Sequence, residues 1–378
     1  MLTGVTLASC ALDAQDRSLA ALSGVAFLQT QSGLQVVAAS AGENALTRFA
    51  VEGTGPALGL IDTFRLSAHA GLHDIVATGT GLLALARWGA AVQVDAAGMA
   101  QTGPARLTAA DGTAVAVQGQ AGLVLGGRVI ADDAALPLGD VTALAVLDDG
   151  RVLAGSAFDT GVALLSAAGT PLDSARAENG FWHNRVSAIE VVEIGGASFA
   201  VVAASGSSSL SVFEIAGDEL VLTDHEWDSM MTRFSGVSEL ATVQVGDMTV
   251  IAAGGSDAGL SLFELTGTGE LVHLRDIVDG TDSTLDGITG LDMIAHGDGA
   301  LLVASSERDN GLSLFELEFE FAPPSQNPAL RPEAAREMLA LPPAPGLSAD
   351  ASRIADRLPD ALPDWVMAHL PQDMLDFL

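Results

Sequence analysis

The chain has no lysine, no tyrosine and a single cysteine, and its 16 basic residues, all arginine, face 48 acidic ones. Each shortage excludes something. A formal charge of -32 repels phosphate backbones and anionic lipid, so nucleic-acid binding and electrostatic membrane docking are not expected. Cations, neutral sugars and other proteins are the natural partners. One cysteine rules out an internal disulfide and any cysteine-rich metal site, although it leaves the compartment open. No apolar run reaches the roughly 18 residues that a membrane-spanning helix needs. The opening "MLTGVTLASC" resembles a lipoprotein cleavage box at Leu7 to Cys10. It has no basic residue ahead of the apolar stretch, however, and that stretch is too short for a signal peptide.

What the chain does have is hydrophobic residues, 49% of 378, and 42 glycines, enough for a large core cut by many turns. Internal similarity organises them. "SLSVFEI" (Ser209 to Ile215) and "GLSLFEL" (Gly259 to Leu265, again Gly311 to Leu317) recur about fifty residues apart. Each is preceded by a strand pattern ("VSAIEVV", "VSELATV", "ITGLDMI") and by a second one ("FAVVAAS", "TVIAAGG", "LLVASS"). A fourth, such as "ELVLTD" or "ELVHLRD", follows the first two copies. Four short strands joined as a meander describe one propeller blade. Fainter copies begin at "LSGVAFL" and "VTALAVL", and the match degrades between Leu72 and Gly139, which could hold two compressed blades or one with an insertion. The expectation is an all-β, seven-bladed β-propeller, with six blades as the alternative.

The last copy lacks a fourth strand. Without a gap, Val5 to Val25 aligns with Leu271 to Leu291, matching Asp13, Asp16, Leu19 and Gly24 to Asp279, Asp282, Leu285 and Gly290. Residues 2–10 are therefore expected to complete the final blade, which would close the ring and remove exposed sheet edges. The propeller should span 1–321. Residues 322–378 form a Pro-rich tail with three short helical candidates, which cannot fold alone in water.

Loops between strands two and three, and between strand four and the next blade, should share one face. They are rich in acidic and small polar residues. Asp13, Asp228 and Asp279 fall at equivalent places; an aspartate there either bonds its own following backbone or helps to bind calcium, the one cofactor considered. Neither a calcium-binding helix-loop pattern nor a glycine-rich nonapeptide repeat is present. "FWHNR" and "DHEWD" stand out in a chain with 4% aromatics. Trp182, His183, Asn184 and Arg185, with His225, Glu226, Trp227 and Asp228, could grip a neutral sugar, the indole stacking on C–H faces while polar groups bond hydroxyls. Alternatively each Trp plugs a gap between blades, or His183 and His225 share a zinc ion. No nucleophile elbow, zinc-protease helix or phosphate loop occurs, so a non-enzymatic binding or structural role is the leading expectation. A propeller hydrolase or lactonase with an acidic, metal-bound axial site is the rival.

The V-x-x-L…V-A-A-S…L-S-L-F-E-L unit resembles those of β-propeller domains in large acidic secreted alphaproteobacterial proteins, many of which carry haemolysin-type calcium-binding repeats. Those repeats are missing here. The terminal Asp376, Phe377 and Leu378 resemble the tag of type I-exported proteins. The resemblance implies secretion; the leading expectation is a protein displayed outside the cell or carried on a phage-like particle without a cleavable N-terminal signal, with a cytoplasmic scaffold as the alternative. Its partner would be a surface carbohydrate or a protein. Trp365, Met367, Leu370, Leu375 and Phe377 would make an amphipathic anchor that docks the tail on another chain or on a secretion system.

Overall fold

A computed structural model describes residues 1–53, 55–66, 72–78, 81–86, 91–95, 98–102, 123–125, 128–130, 141–156, 161–167, 169–176 and 184–320. Trp182, His183, the helical candidates and the anchor residues Trp365, Met367, Leu370, Leu375 and Phe377 lie outside them. The described strands are all β and form six four-stranded antiparallel sheets and one two-stranded sheet. Five of the six are meanders in which sequence order is spatial order, spanning 22–65, 72–102, 141–176, 186–227 and 239–278. The sixth joins Ile288–His296, Gly299–Ser306 and Gly311–Phe319 to the N-terminal strand Leu2–Leu12, which runs along Gly311–Phe319. In the stretch where the repeat fades, Leu72–Thr78 opens a full four-stranded sheet, and Leu123–Leu125 pairs with Arg128–Ile130.

The repeat dictates this arrangement locally. In "GLSLFEL" the alternate side chains Leu260 and Leu262 pack toward one neighbouring sheet and Phe263 and Leu265 toward the other, all buried. A strand covered on both faces must be apolar at nearly every position, which is why these segments read as continuous hydrophobic runs. Burial of Phe213, Phe263 and Phe315 contributes on the order of 2–3 kcal/mol each. A bulge falls at the same place between third and fourth strands in five of the sheets, for example at Val212/Phe213 and Leu262/Phe263. It bends the outer strand and re-aims the residues that follow it.

Neighbouring sheets are also stitched by polar bonds that repeat. On the first strands, Thr142 Oγ1 donates to the Val186 carbonyl, Ser187 Oγ to Val237 (2.6 Å) and Ser238 Oγ to Ile288 (3.0 Å). On the fourth strands, the Leu220 amide donates to Asp173 (2.8 Å), Leu271 to Asp224 (2.7 Å) and Leu58 to Ser9 Oγ (3.2 Å). The first strands pack side by side in the order 141–146, 186–194, 239–245, 288–296, 22–30 and 72–78. The first strands thus share one packed layer, and the fourth strands lie at the opposite edge of each sheet.

Candidate functional site

The two expected loop sets lie together. Backbone bonds recur between them: the Ala41 amide donates to Ala21, Ser205 to Arg185, Ser256 to Ser235 and Glu307 to Gly287. A second series ties the end of each fourth strand to the loop before the third, from Asp13 to Asn310, Leu66 to Asn44, Asp228 to Ser208 and Asp279 to Ala258. Asn44, Ser208 and Asn310 are left-handed (φ about 50°), a conformation that asparagine tolerates better than most residues.

Asp13, Asp228 and Asp279 are equivalent, as the alignment predicts. Each carboxylate accepts the amide six residues on: Leu19 (2.8 Å), Phe234 (3.1 Å) and Leu285 (3.0 Å). Asp228 and Asp279 also accept from the hydroxyls of Thr232 and Ser283. The three belong to different sheets and each clamps its own loop. Among the described residues no group of three or more His, Cys, Asp and Glu is arranged to hold a metal ion.

Of the expected ligand-binding residues, His225, Glu226, Trp227 and Asp228 end one outer strand, while Asn184 and Arg185 precede the first strand of the same sheet. The loop Ser205–Ser208 bridges the two groups: the Gly206 amide donates to the Asn184 carbonyl, the Asn184 amide to Ser207 Oγ and the Asp228 amide to Ser208. Trp227 is 58% exposed, and Met230 and Met231 beyond it are 97% and 76% exposed. The indole is not loose. His225 meets it edge-on, centroids 4.6 Å apart at 88°, and His225 Nδ1 lies 2.6 Å from the hydroxyl of buried Ser211. Burial holds the His225 imidazole below its usual range, with Asp224 opposing. Burial, then Asp224, pushes the Glu226 carboxyl up, with His273 opposing.

Arg185 carries an unusual backbone. Its φ is +60°, at the position where the equivalent residues are Ala21 (+48°), Gly236 (+58°) and Gly287 (+71°). A long side chain there costs roughly 1–2 kcal/mol relative to glycine. No composition or spacing signal reveals this, because the position reads simply as loop.

A second group was not anticipated. Glu190 and Asp292 occupy the same register on the first strands of their sheets, where the equivalent residues are Ala26, Ala145, Ala241 and Val76. Each is closely surrounded by protein yet keeps part of its surface open. Asp292 Oδ2 accepts the Phe27 amide of the next sheet at 2.6 Å, and Thr242 Oγ1 approaches Glu190 Oε2 at 3.5 Å. Burial, reinforced by the Asp292 charge, pushes Glu190 up to about 7; burial pushes Asp292 up to about 6 against its two backbone bonds. The available signal was a carboxylate in the middle of "VSAIEVV" and "ITGLDMI", where sister repeats hold alanine or valine.

All-β architecture, four-stranded meanders packed by their first strands and polar loops gathered together define the β-propeller class. Similarity to solved structures supports that fold. The chain is similar to virginiamycin B lyase from Staphylococcus aureus (TM-score 0.52, 9% identity, covering 82% of this chain and all of that one). It is similar to a streptogramin B lyase (0.51, 10%, 82% and 98%) and to Raptor from Chaetomium thermophilum (0.56, 13%, 84% of this chain and 30% of that one). No family model and no curated protein matches the chain.

Proposed function

We propose that the chain is a non-enzymatic binding propeller that takes a surface glycan or protein on its loop face, at the end of the sheet 186–227. The observation that carries this is the exposed Trp227 indole, braced by His225 and Ser211 and flanked by Glu226 and Asn184–Arg185. An indole fixed before the ligand arrives loses little entropy on binding and offers the flat apolar face that a pyranose ring needs. Arg185 supports the same reading, since backbone strain kept where two sister repeats have glycine is characteristic of functional positions. Trp182 and His183 belong to this proposed site, and calcium remains a candidate cofactor for the acidic loop face. Six four-stranded sheets and a two-stranded one support a seven-bladed ring completed by the N-terminal strand. Display outside the cell or on a particle, with Trp365, Met367, Leu370, Leu375 and Phe377 anchoring the tail, completes the proposal. A glycan array with wild type, Trp182→Ala and Trp227→Ala tests it: binding should fall at least about tenfold in the Trp227 variant. Glycan binding that neither substitution changes would remove the site.

One observation favours an enzyme instead. A carboxyl poised near neutrality is suited to general acid–base work, and Glu190 has that property in the field of Asp292, one strand away. Two of the similar structures are lyases. Turnover of virginiamycin B by the wild type, abolished in Glu190→Gln, would replace the binding reading.

A further inference from the structure

Glu190 and Asp292 stand on neighbouring parts of one packed layer, separated by the strand Glu239–Val245 that packs against both of theirs. Titratable groups on the strands packed against them are few. Glu239 begins the intervening strand, and Glu193 and His296 stand exposed near the ends of the pair's own strands. The strands Val141–Val146, Val152–Ser156, Ala197–Ala204, Met248–Gly254, Gly299–Ser306, Leu22–Thr30 and Gly33–Ser40 contribute none. No arginine lies on any of these strands and the chain has no lysine, so among the described strands packed against them the two enclosed carboxylates face each other's field without a fixed cation. Their partners are unequal. Asp292 accepts from two backbone amides, one from the next sheet, whereas among the described residues Glu190 has the distant Thr242 hydroxyl alone.

We propose that Glu190 and Asp292 form a proton-operated clasp between the first strands: the first proton, taken up by Glu190, relieves their repulsion, while Asp292 keeps its charge through that step and accepts the Phe27 amide of the next sheet. Proton uptake from solvent then tightens the packed layer as the medium turns mildly acid. The division follows from the bonds, because an acceptor holding two N–H groups favours its charge and one without such bonds gives its charge up first.

The sign follows from linkage. Both carboxyls titrate higher in the fold, at about 7 and about 6, than their ordinary values of 4.5 and 3.8. The pair therefore holds more protons in the folded than in the unfolded chain between those limits, and its contribution to stability grows as pH falls from about 7 toward 4. This behaviour is independent of whether the Trp227 face binds anything.

Thermal unfolding of the full chain between pH 8 and pH 5.5 tests the clasp, with Glu219→Gln as a surface control that removes the same charge from an exposed position. The wild-type melting temperature should rise by roughly 3–6 °C over that range, and so should the control's. Glu190→Gln should start higher at pH 8 and rise by less than half as much. A Glu190→Gln slope equal to that of Glu219→Gln, or a lower melting temperature at pH 8, would overturn the proposal. A second measurement needs no variant: potentiometric titration of the folded and the urea-unfolded protein should show roughly one to two extra protons bound by the carboxyl pair between pH 8 and 5.5, less the fraction of one that His225 accepts only in the unfolded chain. Equal uptake would overturn it as well.

Discussion

The sheets 186–227 and 239–278 are consecutive copies of one repeat, and they differ where it matters for function. Their buried parts coincide: Ser211 and Ser261 face the outer strand at the same register, Phe213 and Phe263 follow, and Asp228 and Asp279 clamp the next loop in the same way. Their exposed parts diverge. Opposite the serine, one sheet places His225 and the other Asp276, which accepts from Ser261 Oγ at 2.7 Å. At the strand end, one has Trp227 and the other Val278, both more than half exposed. A repeat that holds its clamps fixed while varying the residues beside them separates the scaffold from the part free to recognise something.

The largest effects should follow from breaking what the two sheets share. Asp279→Ala strands the amide of fully buried Leu285, and Asp228→Ala does the same to Phe234. Each should cost about 1–3 kcal/mol in denaturant unfolding. Equal losses in the two variants would mark both aspartates as scaffold, whereas a much smaller loss at Asp228 would argue that its carboxylate serves a ligand instead.

Breaking what the sheets do not share should leave stability alone. Trp227→Ala and Val278→Ala both trim exposed side chains and should each change unfolding free energy by less than about 0.5 kcal/mol. Only the first should weaken ligand capture. Comparable losses of binding from both would place recognition on the whole rim and not on one sheet.

Arg185 sharpens the comparison from the other end of the sheet. Its counterpart in the sheet 239–278 is Gly236, whose left-handed backbone presses so close to Ser256 Oγ that a Cβ would meet it at 2.5 Å. Arg185→Gly should raise stability by about 1 kcal/mol by relieving the left-handed strain. A gain in melting temperature together with weaker binding is the outcome expected of a strained functional residue. A gain with unchanged binding would make Arg185 an accident of the repeat.

The fold was legible because L-S-V-F-E-I and two copies of L-S-L-F-E-L recur about fifty residues apart and because Asp13 and Leu19 match Asp279 and Leu285. That match places Leu2–Leu12 as an outer strand, with Cys10 opposite Ser313 as Asp276 is opposite Ser261. The loop face followed from the same alignment. Glu190 and Asp292 escaped notice for a physical reason: in an alternating strand a carboxylate is ordinarily a solvent-facing position, and only the packing of six first strands against one another turns that direction inward. The φ of Arg185 and the T-shaped seat of Trp227 on His225 depend on tertiary contacts that no local pattern encodes.

The smallest effect concerns His225 itself. Its imidazole titrates below the ordinary value because burial disfavours the cation. A histidine depressed in the fold contributes stability that is fully present above about 6.5 and is lost as pH falls through the folded value, because the unfolded chain takes the proton first. This runs opposite to the carboxyl pair, so the two are best separated by a local readout. Protonation places a cation in contact with the Trp227 indole and replaces the neutral ring that Ser211 orients. The difference in fluorescence between wild type and Trp227→Phe should therefore change as pH falls below the ordinary histidine value of about 6.5, and ligand affinity should change with it. The sheet 239–278 has Asp276 in place of this histidine, so His225→Asp grafts its neighbour's chemistry; in that variant the fluorescence step below pH 7 should vanish, and its persistence would assign the titration to another group.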